Sequence, residues 1–309
     1  LPRDDAARAA LRLFKAALLP GHPYSLEPSV QSVGGLSRRR LLELFRRAYP
    51  LTKLTIAVVG DVEPQTVLER LDARLPAASA ASVPALATPT APPEPPATPA
   101  SRVLYLPSQH AHMVLGFRAP GLQGHERYAL EILFELLAGP SGRLNRELRD
   151  KRGLAYAVQG VLQLGVELGF VALHLATSPS TFDVAQTGLR EELRKLIDHP
   201  ITAAELTLAQ DQLVSRQAAG RQRRDDYALE LARVAALALP AGAAGAEAYE
   251  AGVRAVTIAQ VQSAARRYLD DPHAVVAAVL PEALHHRAAA GAALLERMHE
   301  DQPPRSGSA

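Results

Sequence analysis

The chain has no cysteine and no tryptophan among its 309 residues. Without cysteine there are no disulfide bonds, no thiol nucleophile and no thiolate metal site, so any metal ligands must be histidines or carboxylates. No apolar run approaches the ~18 residues that span a bilayer. Residues 1–20 also lack the charged and apolar regions of a signal peptide. The sequence therefore predicts neither a membrane span nor a signal peptide.

Lysine is scarce as well: the chain has four lysines and 30 arginines. The formal net charge is only +2. The densest basic runs are Arg38–Arg40 and Arg221–Arg224. Basic residues alternate with acidic ones, and no basic stripe carries interleaved aromatics, so the pattern does not favour nucleic-acid binding. We expect these runs to lie on solvated helix faces.

One segment differs in composition from the rest of the chain. Residues 76–102 hold eight prolines among alanine, serine and threonine, a composition that favours a semi-extended linker over a packed core. It separates a first unit, residues 1–75, from a second unit, residues 103–300. Residues 301–309 are predicted to form a disordered tail.

Hydrophobic periodicity and capping residues predict an α+β fold, in which an antiparallel-rich sheet packs against helices. We expect helices at about 5–19, 37–49, 63–75, 125–137, 181–198, 203–220, 225–239, 246–254 and 257–269, with a last helix ending near residue 300. Strands are expected at 54–59, 103–107, 111–118, 154–164, 169–177 and 274–280. Ser180 and Asp183 have the spacing of a capping box for the helix over 181–198.

The two units resemble each other at an offset of 220 residues. Ser37 falls on Thr257, each at the start of a helix, and the apolar run 54–59 falls on 274–279. Such an offset indicates an internal repeat; the alternative is chance similarity between two helix–strand segments. The sequence thus predicts two homologous domains.

By the same offset the first domain is truncated at its N-terminus. The second unit begins near Val103, so its counterpart would begin roughly 117 residues before the first residue given. Either that head belonged to a longer precursor, or this chain never had it.

A histidine metal site is the next possibility. Zinc peptidases of one class carry His-x-x-Glu-His on a helix, and no such run occurs here. His110 and His112 have strand spacing and would point to one face, where His125 could approach. The favoured interpretation is that His110 and His112 lie at the surface or have only part of their hydrogen-bonding capacity satisfied. The same interpretation is favoured for His285 and His286. We therefore predict no metal site in this chain.

The segment Ser141–Val158 carries the strongest candidate for chemistry. It reads as a basic helix, a glycine stop and a strand that opens on Leu-Ala-Tyr. Arg149 near the helix end and Tyr156 at the strand start could converge, and together they could hold a substrate carbonyl or stabilise an oxyanion. The alternative is that Arg149 is a solvated charge and Tyr156 caps a core.

This segment resembles the Ser-Arg-Leu-x-x-x-Leu-Arg-x-x-x-Gly-Leu-Ala-Tyr stretch of pitrilysin-like (insulinase-like, inverzincin) zinc peptidases. Gly21–Tyr24 and Val58–Val62 are similar to motifs near the end of that family's first domain. The resemblance implies two α+β domains that form a half-shell, with two half-shells enclosing a peptide chamber. It also implies that Arg149 and Tyr156, seven positions apart, reach the peptide from the half without zinc.

From this resemblance we expect the zinc-less subunit of a bacterial two-chain peptidase, inactive alone. Its partner would be a zinc-bearing pitrilysin-like subunit or a second copy of itself, and its substrate an unfolded peptide. Zinc would lie on the partner or on the missing segment, and the resemblance favours the periplasm over the cytoplasm. Two alternatives stay open: a fragment of a complete zinc endopeptidase, and a non-catalytic structural homologue.

Overall fold

The computed structural model describes residues 4–51, 54–75, 100–122, 124, 126–237, 246–269 and 274–284. The α-helices are α1 (Asp4–Leu18), α2 (Val30–Gly34), α3 (Arg38–Ala48), α4 (Pro64–Arg74), α5 (Arg127–Ala138), α6 (Phe182–Asp198), α7 (Ala203–Gln222), α8 (Arg224–Ala236), α9 (Ala246–Arg254) and α10 (Ile258–Tyr268). The strands are β1 (Ala100–Leu106), β2 (Ala111–Pro120), β3 (Ala157–Leu164), β4 (Leu168–Thr177) and β5 (Val275–Pro281). Short 3-10 turns span Pro23–Ser25 and Pro179–Thr181, and a π-helix spans Asn145–Lys151.

The five strands form one sheet in the order β1-β5-β2-β4-β3. β1 runs parallel to β5, whereas β5, β2, β4 and β3 pair antiparallel. The inner strands β2, β4 and β5 are buried along nearly their whole length. Strands covered on both faces become continuous apolar runs, which explains why these three show little alternation in sequence.

One face of the sheet is covered by helices of the second unit. Met113, Leu115 and Phe117 of β2 point to this side and pack with α5, α6, α7, α9 and α10 in the main core. Helices α5, α6, α9 and α10 are amphipathic, and they bury their apolar faces against the sheet or a neighbouring helix. This part of the fold is the predicted α+β layer.

The opposite face is covered by α1, which belongs to the first unit. The ring of Phe14 meets Phe170 edge-on, with 5.7 Å between centroids, and both are fully buried. Gly116 makes this approach possible: a Cβ there would lie 2.5 Å from the Phe14 ring and 2.3 Å from the Val171 carbonyl oxygen. Close packing of helix on sheet therefore depends on a residue without a side chain.

The turn after α1 attaches it further to the sheet. Gly21 adopts a left-handed φ of 72°, and the backbone N–H of Tyr24 donates to Nδ1 of His22 at 3.2 Å. The Tyr24 hydroxyl accepts from the N–H of Val166 in the β3–β4 hairpin at 3.2 Å. The Gly21–Tyr24 motif thus ties the two units together across the chain.

The 220-residue repeat is visible in the helices of the two units. Helices α3 and α10 have equal length and lie 220 residues apart, and the hydroxyls of Ser37 and Thr257 cap them in the same way. Helices α2 and α9 also end at equivalent positions, Gly34 and Arg254. The helical part of the repeat inferred from sequence is therefore visible in the structure, whereas residues 54–59 do not form the strand that β5 forms in the second unit.

Most predicted elements are confirmed to within a few residues, but two predictions are wrong. Residues 54–59 pair with no strand in the described part of the chain, and exposed residues alternate there with half-buried ones. Ser180 does not cap α6; it lies in the preceding 3-10 turn, and its hydroxyl bonds to Ser178. Strand β1 starts at Ala100, before the predicted Val103, because Ala100 already pairs with β5.

The predicted linker over 76–99, the last helix beyond residue 284 and the tail lie outside the described residues. Residues 100–102, also assigned to the linker, belong to β1.

We expect Phe14→Ala to lower the free energy of unfolding by about 3–5 kcal/mol, because it leaves a cavity between α1 and the sheet. The measurement is urea denaturation followed by circular dichroism. Phe45→Ala is the matched control, since Phe45 is 60% exposed on α3, and its cost should be below ~1 kcal/mol. Equal losses in the two variants would show that α1 does not pack as described.

Candidate functional site

The candidate site is built on the π-helix that follows α5. Leu144 and Leu148 are fully buried and fix this helix to the main core. The amide of Asn145 reaches back and donates to the Gly139 carbonyl at 3.2 Å, which closes the preceding loop. π-Helical turns are rare and occur often at functional sites. Here the turn presents its polar side, with Arg149, to solvent.

A glycine stop places Tyr156 after this helix. Gly153 has φ 59°, the left-handed conformation that commonly ends a helix. Leu154 N–H then donates to the Leu148 carbonyl at 2.7 Å, and Tyr156 N–H donates to the Ala176 carbonyl at 2.8 Å. Tyr156 is therefore held by the backbone at the entrance to β3.

The Arg149 side chain is exposed, and Asp150 is its one partner in the part of the chain that the structure describes. Its Nε donates to the Asp150 carboxylate at 2.8 Å. This hydrogen bond, reinforced by the neighbouring charge, raises the pKa of Arg149 and lowers that of Asp150. An exposed pair between adjacent residues is readily exchanged for another carboxylate or carbonyl partner. The guanidinium is thus charged and lies at the surface.

Tyr156 is 63% exposed, which is unusual for an aromatic ring beside a sheet. Its ring lies against His110 with 4.9 Å between centroids. The side chains of Arg149 and Tyr156 make no contact with each other in the described chain, although both belong to the short segment that runs from the π-helix to β3. Their convergence on one ligand stays a prediction.

The second polar cluster on the sheet involves a histidine that the sequence did not single out. Nδ1 of His112 and Nε2 of His174 lie 3.1 Å apart across β2 and β4, and the rings are stacked. They are diagonal neighbours, since His112 pairs with Ala176 and His174 with Val114. Sequence spacing coupled His112 to His110, and only strand register reveals His174.

Burial makes both rings poor bases. Desolvation lowers the pKa of His174 to about 4, with a smaller contribution from His112. Desolvation, followed by the charge of His110, lowers the pKa of His112. A hydrogen bond between two neutral rings needs one donor and one acceptor. The pair is therefore suited to structure at neutral pH.

These histidines do not fit a zinc centre. Within the described ranges, no three histidine, aspartate or glutamate side chains converge as metal ligands. His112 and His174 are occupied with each other, and His125, His285 and His286 lie outside the described residues. No described helix has the length and apolar character to cross a membrane.

A cavity of about 670 Å³ lies between α5, β3, α7 and α8. Its wall contains an ionic network in which Arg127 pairs with Glu131 at 2.7 Å and the Tyr249 hydroxyl donates to Glu131 at 2.7 Å. Burial, reinforced by Glu131, raises the pKa of Tyr249. Neither Arg149 nor Tyr156 lines this cavity, so it is separate from the candidate site.

Residues 35–213, more than half of the chain, match the family model described as the Peptidase M16 inactive domain. The chain belongs to the M16 peptidase family. This confirms the resemblance to pitrilysin-like zinc peptidases, and the matched domain type is the inactive one. The Arg149–Tyr156 turn lies inside the matched region.

An uncharacterised zinc protease of Mycobacterium tuberculosis is 30% identical over 217 residues, covering 68% of this chain and 49% of the relative. A second, from Mycobacterium leprae, is 29% identical over 219 residues, 68% of this chain and 48% of that protein. The M16 chain thus spans about half the length of the curated relatives it matches.

Solved structures show the same fold. The M16 inactive domain of Pseudomonas fluorescens matches with a TM-score of 0.75 at 20% identity, covering 90% of this chain and 66% of that one. Since the identity is low, this match supports the architecture, and it carries no statement about activity.

The histidine pair predicts a pH effect on stability. Because the folded pKa of His174 is about 4 and an unfolded histidine titrates near 6.5, the unfolded state binds more protons between these values. Stability should be complete above pH 6.5 and fall as the pH drops toward 4. At pH 5 the loss should reach about 2 kcal/mol.

The measurement is urea denaturation at pH 7.5 and pH 5 for the parent, His174→Gln and His199→Gln. His199 is exposed and serves as the control. The His174 variant should lose most of the difference between the two pH values, while the control keeps it. A parent-like difference in His174→Gln would refute the assignment.

Proposed function

We propose that this M16 chain is the zinc-less half of a peptidase, which binds peptide for hydrolysis at a zinc site on a partner chain. The observation that carries the proposal is the turn of residues 149–156. It is anchored to the core through Leu148 and to the sheet through Tyr156, yet both functional side chains are exposed. Tyr156 is exposed and caps no core, which speaks against a purely structural role for this residue.

The proposed roles follow from the chemistry of the two groups. The Arg149 guanidinium offers several N–H donors in a planar fork, and the Tyr156 phenol offers one O–H donor. Both would donate to a peptide carbonyl and strengthen their hydrogen bonds as negative charge develops on that oxygen. His110 limits the movement of the Tyr156 ring by packing beside it.

The proposed partner is a zinc-bearing M16 subunit, or a second copy of this chain, and the proposed ligand is an unfolded peptide. No three described histidine, aspartate or glutamate side chains converge as metal ligands, and the proposal assigns the zinc to the partner chain and substrate binding to this one. A second candidate is a part of a complete zinc endopeptidase, favoured by the half-length match to relatives named zinc proteases. A non-catalytic homologue is the third.

In a pair reconstituted with a zinc-bearing M16 subunit of the same organism, Arg149→Ala and Tyr156→Phe should each lower kcat/KM by about 10–100-fold. The reason is that each removes a donor to the developing oxyanion. The measurement is cleavage of an unstructured fluorogenic peptide. Arg146→Ala is the control, since Arg146 is an equally exposed arginine of the same helix, paired with Glu147.

Unchanged turnover in both variants would assign Arg149 and Tyr156 to structure and favour the non-catalytic homologue. Stoichiometric zinc by elemental analysis of the isolated chain, together with peptide cleavage, would contradict the zinc-less role.

A further inference from the structure

The cavity between α5, β3, α7 and α8 takes no part in the roles proposed above. Its volume of about 670 Å³ lies in the range of small-molecule binding sites. A second cavity of about 280 Å³ shares many of its lining residues, namely Arg127, Gln217, Asp226, Glu230, Arg233 and Tyr249. The two are therefore adjoining parts of one space, and every residue that lines them belongs to the described part of the chain.

Much of the lining is apolar. Phe134 of α5, Leu162 and Leu164 of β3, and Leu213 of α7 contribute their side chains to it. All four are buried or half-buried, so they lie on the inner part of the space. Such a lining favours a ligand with an apolar body, because binding removes apolar surface from water on both sides.

The acidic groups of the lining are already neutralised by arginines. The three carboxylates lie 2.7, 2.6 and 3.2 Å from a guanidinium nitrogen, in the pairs Glu131–Arg127, Glu230–Arg221 and Asp226–Arg223. Arg216 of the lining pairs in turn with the buried carboxylate of Glu135 at 2.8 Å. These pairs leave no carboxylate of the lining available to a cationic ligand.

Arg233 on α8 carries the charge that these pairs do not balance. It is exposed and lines both cavities. Among the described side chains, no carboxylate pairs with its guanidinium. An arginine can donate two parallel hydrogen bonds to one carboxylate, and such charge-assisted bonds are strong. The charge of the lining therefore favours an anionic head group on the ligand.

Two glycines of the lining show that space is kept open. A Cβ at Gly160 on β3 would lie 2.6 Å from the Phe134 ring, so close packing requires glycine there. A Cβ at Gly220 on α7 would meet no atom within 4 Å, and the backbone is not left-handed. Glycine in a helix is less stable than alanine, and neither packing nor backbone conformation requires it at Gly220. Its missing side chain leaves free volume in the cavity.

We propose that this cavity binds a small amphiphile that carries one carboxylate on an apolar body. Arg233 binds the carboxylate, and the apolar lining around Phe134 and Leu213 holds the body. Two sources share this chemistry, a free fatty acid and the C-terminal carboxylate of a short apolar peptide. The site stands apart from the roles of Arg149 and Tyr156, neither of which lines the cavity.

The experiment is isothermal titration calorimetry of the whole chain without any partner. The probes are N-acetyl-dileucine, its C-terminal amide and laurate, which separate the two sources and isolate the charge of the head group. In the parent chain the dipeptide acid should bind about 10-fold or more tightly than the amide, because only the acid forms charge-assisted hydrogen bonds.

Arg233→Gln should weaken the binding of each carboxylate probe by about 10-fold or more and bring dipeptide acid and amide to nearly equal affinity. Arg224→Gln is the matched control, since Arg224 is an exposed arginine of the same helix outside the cavity lining. This control should keep the affinities of the parent chain.

Gly220→Leu tests the location of the site. The new side chain should occupy the free volume and lower the affinity for acid and amide alike by about 10-fold or more. Gly34→Leu is its control, because a Cβ at Gly34 on α2 also meets nothing within 4 Å, and it should change neither affinity. Circular dichroism checks that both variants keep the helical content of the parent.

Binding of laurate alone would support the fatty acid as the source, binding of the dipeptide acid alone would support the peptide C-terminus, and binding of both would support the shared chemistry. The proposal would be overturned if neither carboxylate bound at millimolar concentration, or if carboxylate affinity survived Arg233→Gln. Parent-like affinity in a folded Gly220→Leu variant would overturn it as well. Because no partner chain or peptide cleavage enters the measurement, these outcomes are independent of the proposed peptidase role.

Discussion

The contact on which the structure depends is the packing of α1 across the sheet through Phe14. Helices of the second unit cover only one face of the strands, and the other face is equally apolar. Without α1 the sheet would expose Val114, Phe170 and their neighbours to water. Gly116 allows the helix to come this close, and the Gly21–Tyr24 turn fixes its end. The first unit is thus a structural part of the second.

The candidate site is determined by the sheet that this packing completes. Tyr156 owes its position to the hydrogen bond with Ala176 on β4, and β4 is buried between the two helical layers. Arg149 is held by the main core through Leu148. Because the backbone of this segment is anchored at Leu148 and Tyr156 while the two side chains are exposed, the proposed ligand binding would require rotation of side chains and little backbone movement.

Local patterns predicted most of this fold, because helix caps, glycine stops and apolar periodicity act within a few residues. The Arg149–Tyr156 spacing was visible for the same reason. Two features depend on residues far apart in sequence: the packing of α1 on the second unit's sheet, and the position of His174 beside His112. Strand register and the packing between the two units are properties of the folded chain, and local sequence patterns do not predict them.

The Arg149–Tyr156 segment and the helices α3 and α4 of the first unit are physically separate parts of the structure. The segment rests on a core that is built by described residues of the second unit, and α1 covers the other face of the same sheet. Helices α3 and α4 contribute no buried residue to either cluster. Of the first unit, α1 and the Gly21–Tyr24 turn therefore support the candidate site, because they complete the sheet on which the Tyr156 backbone is held.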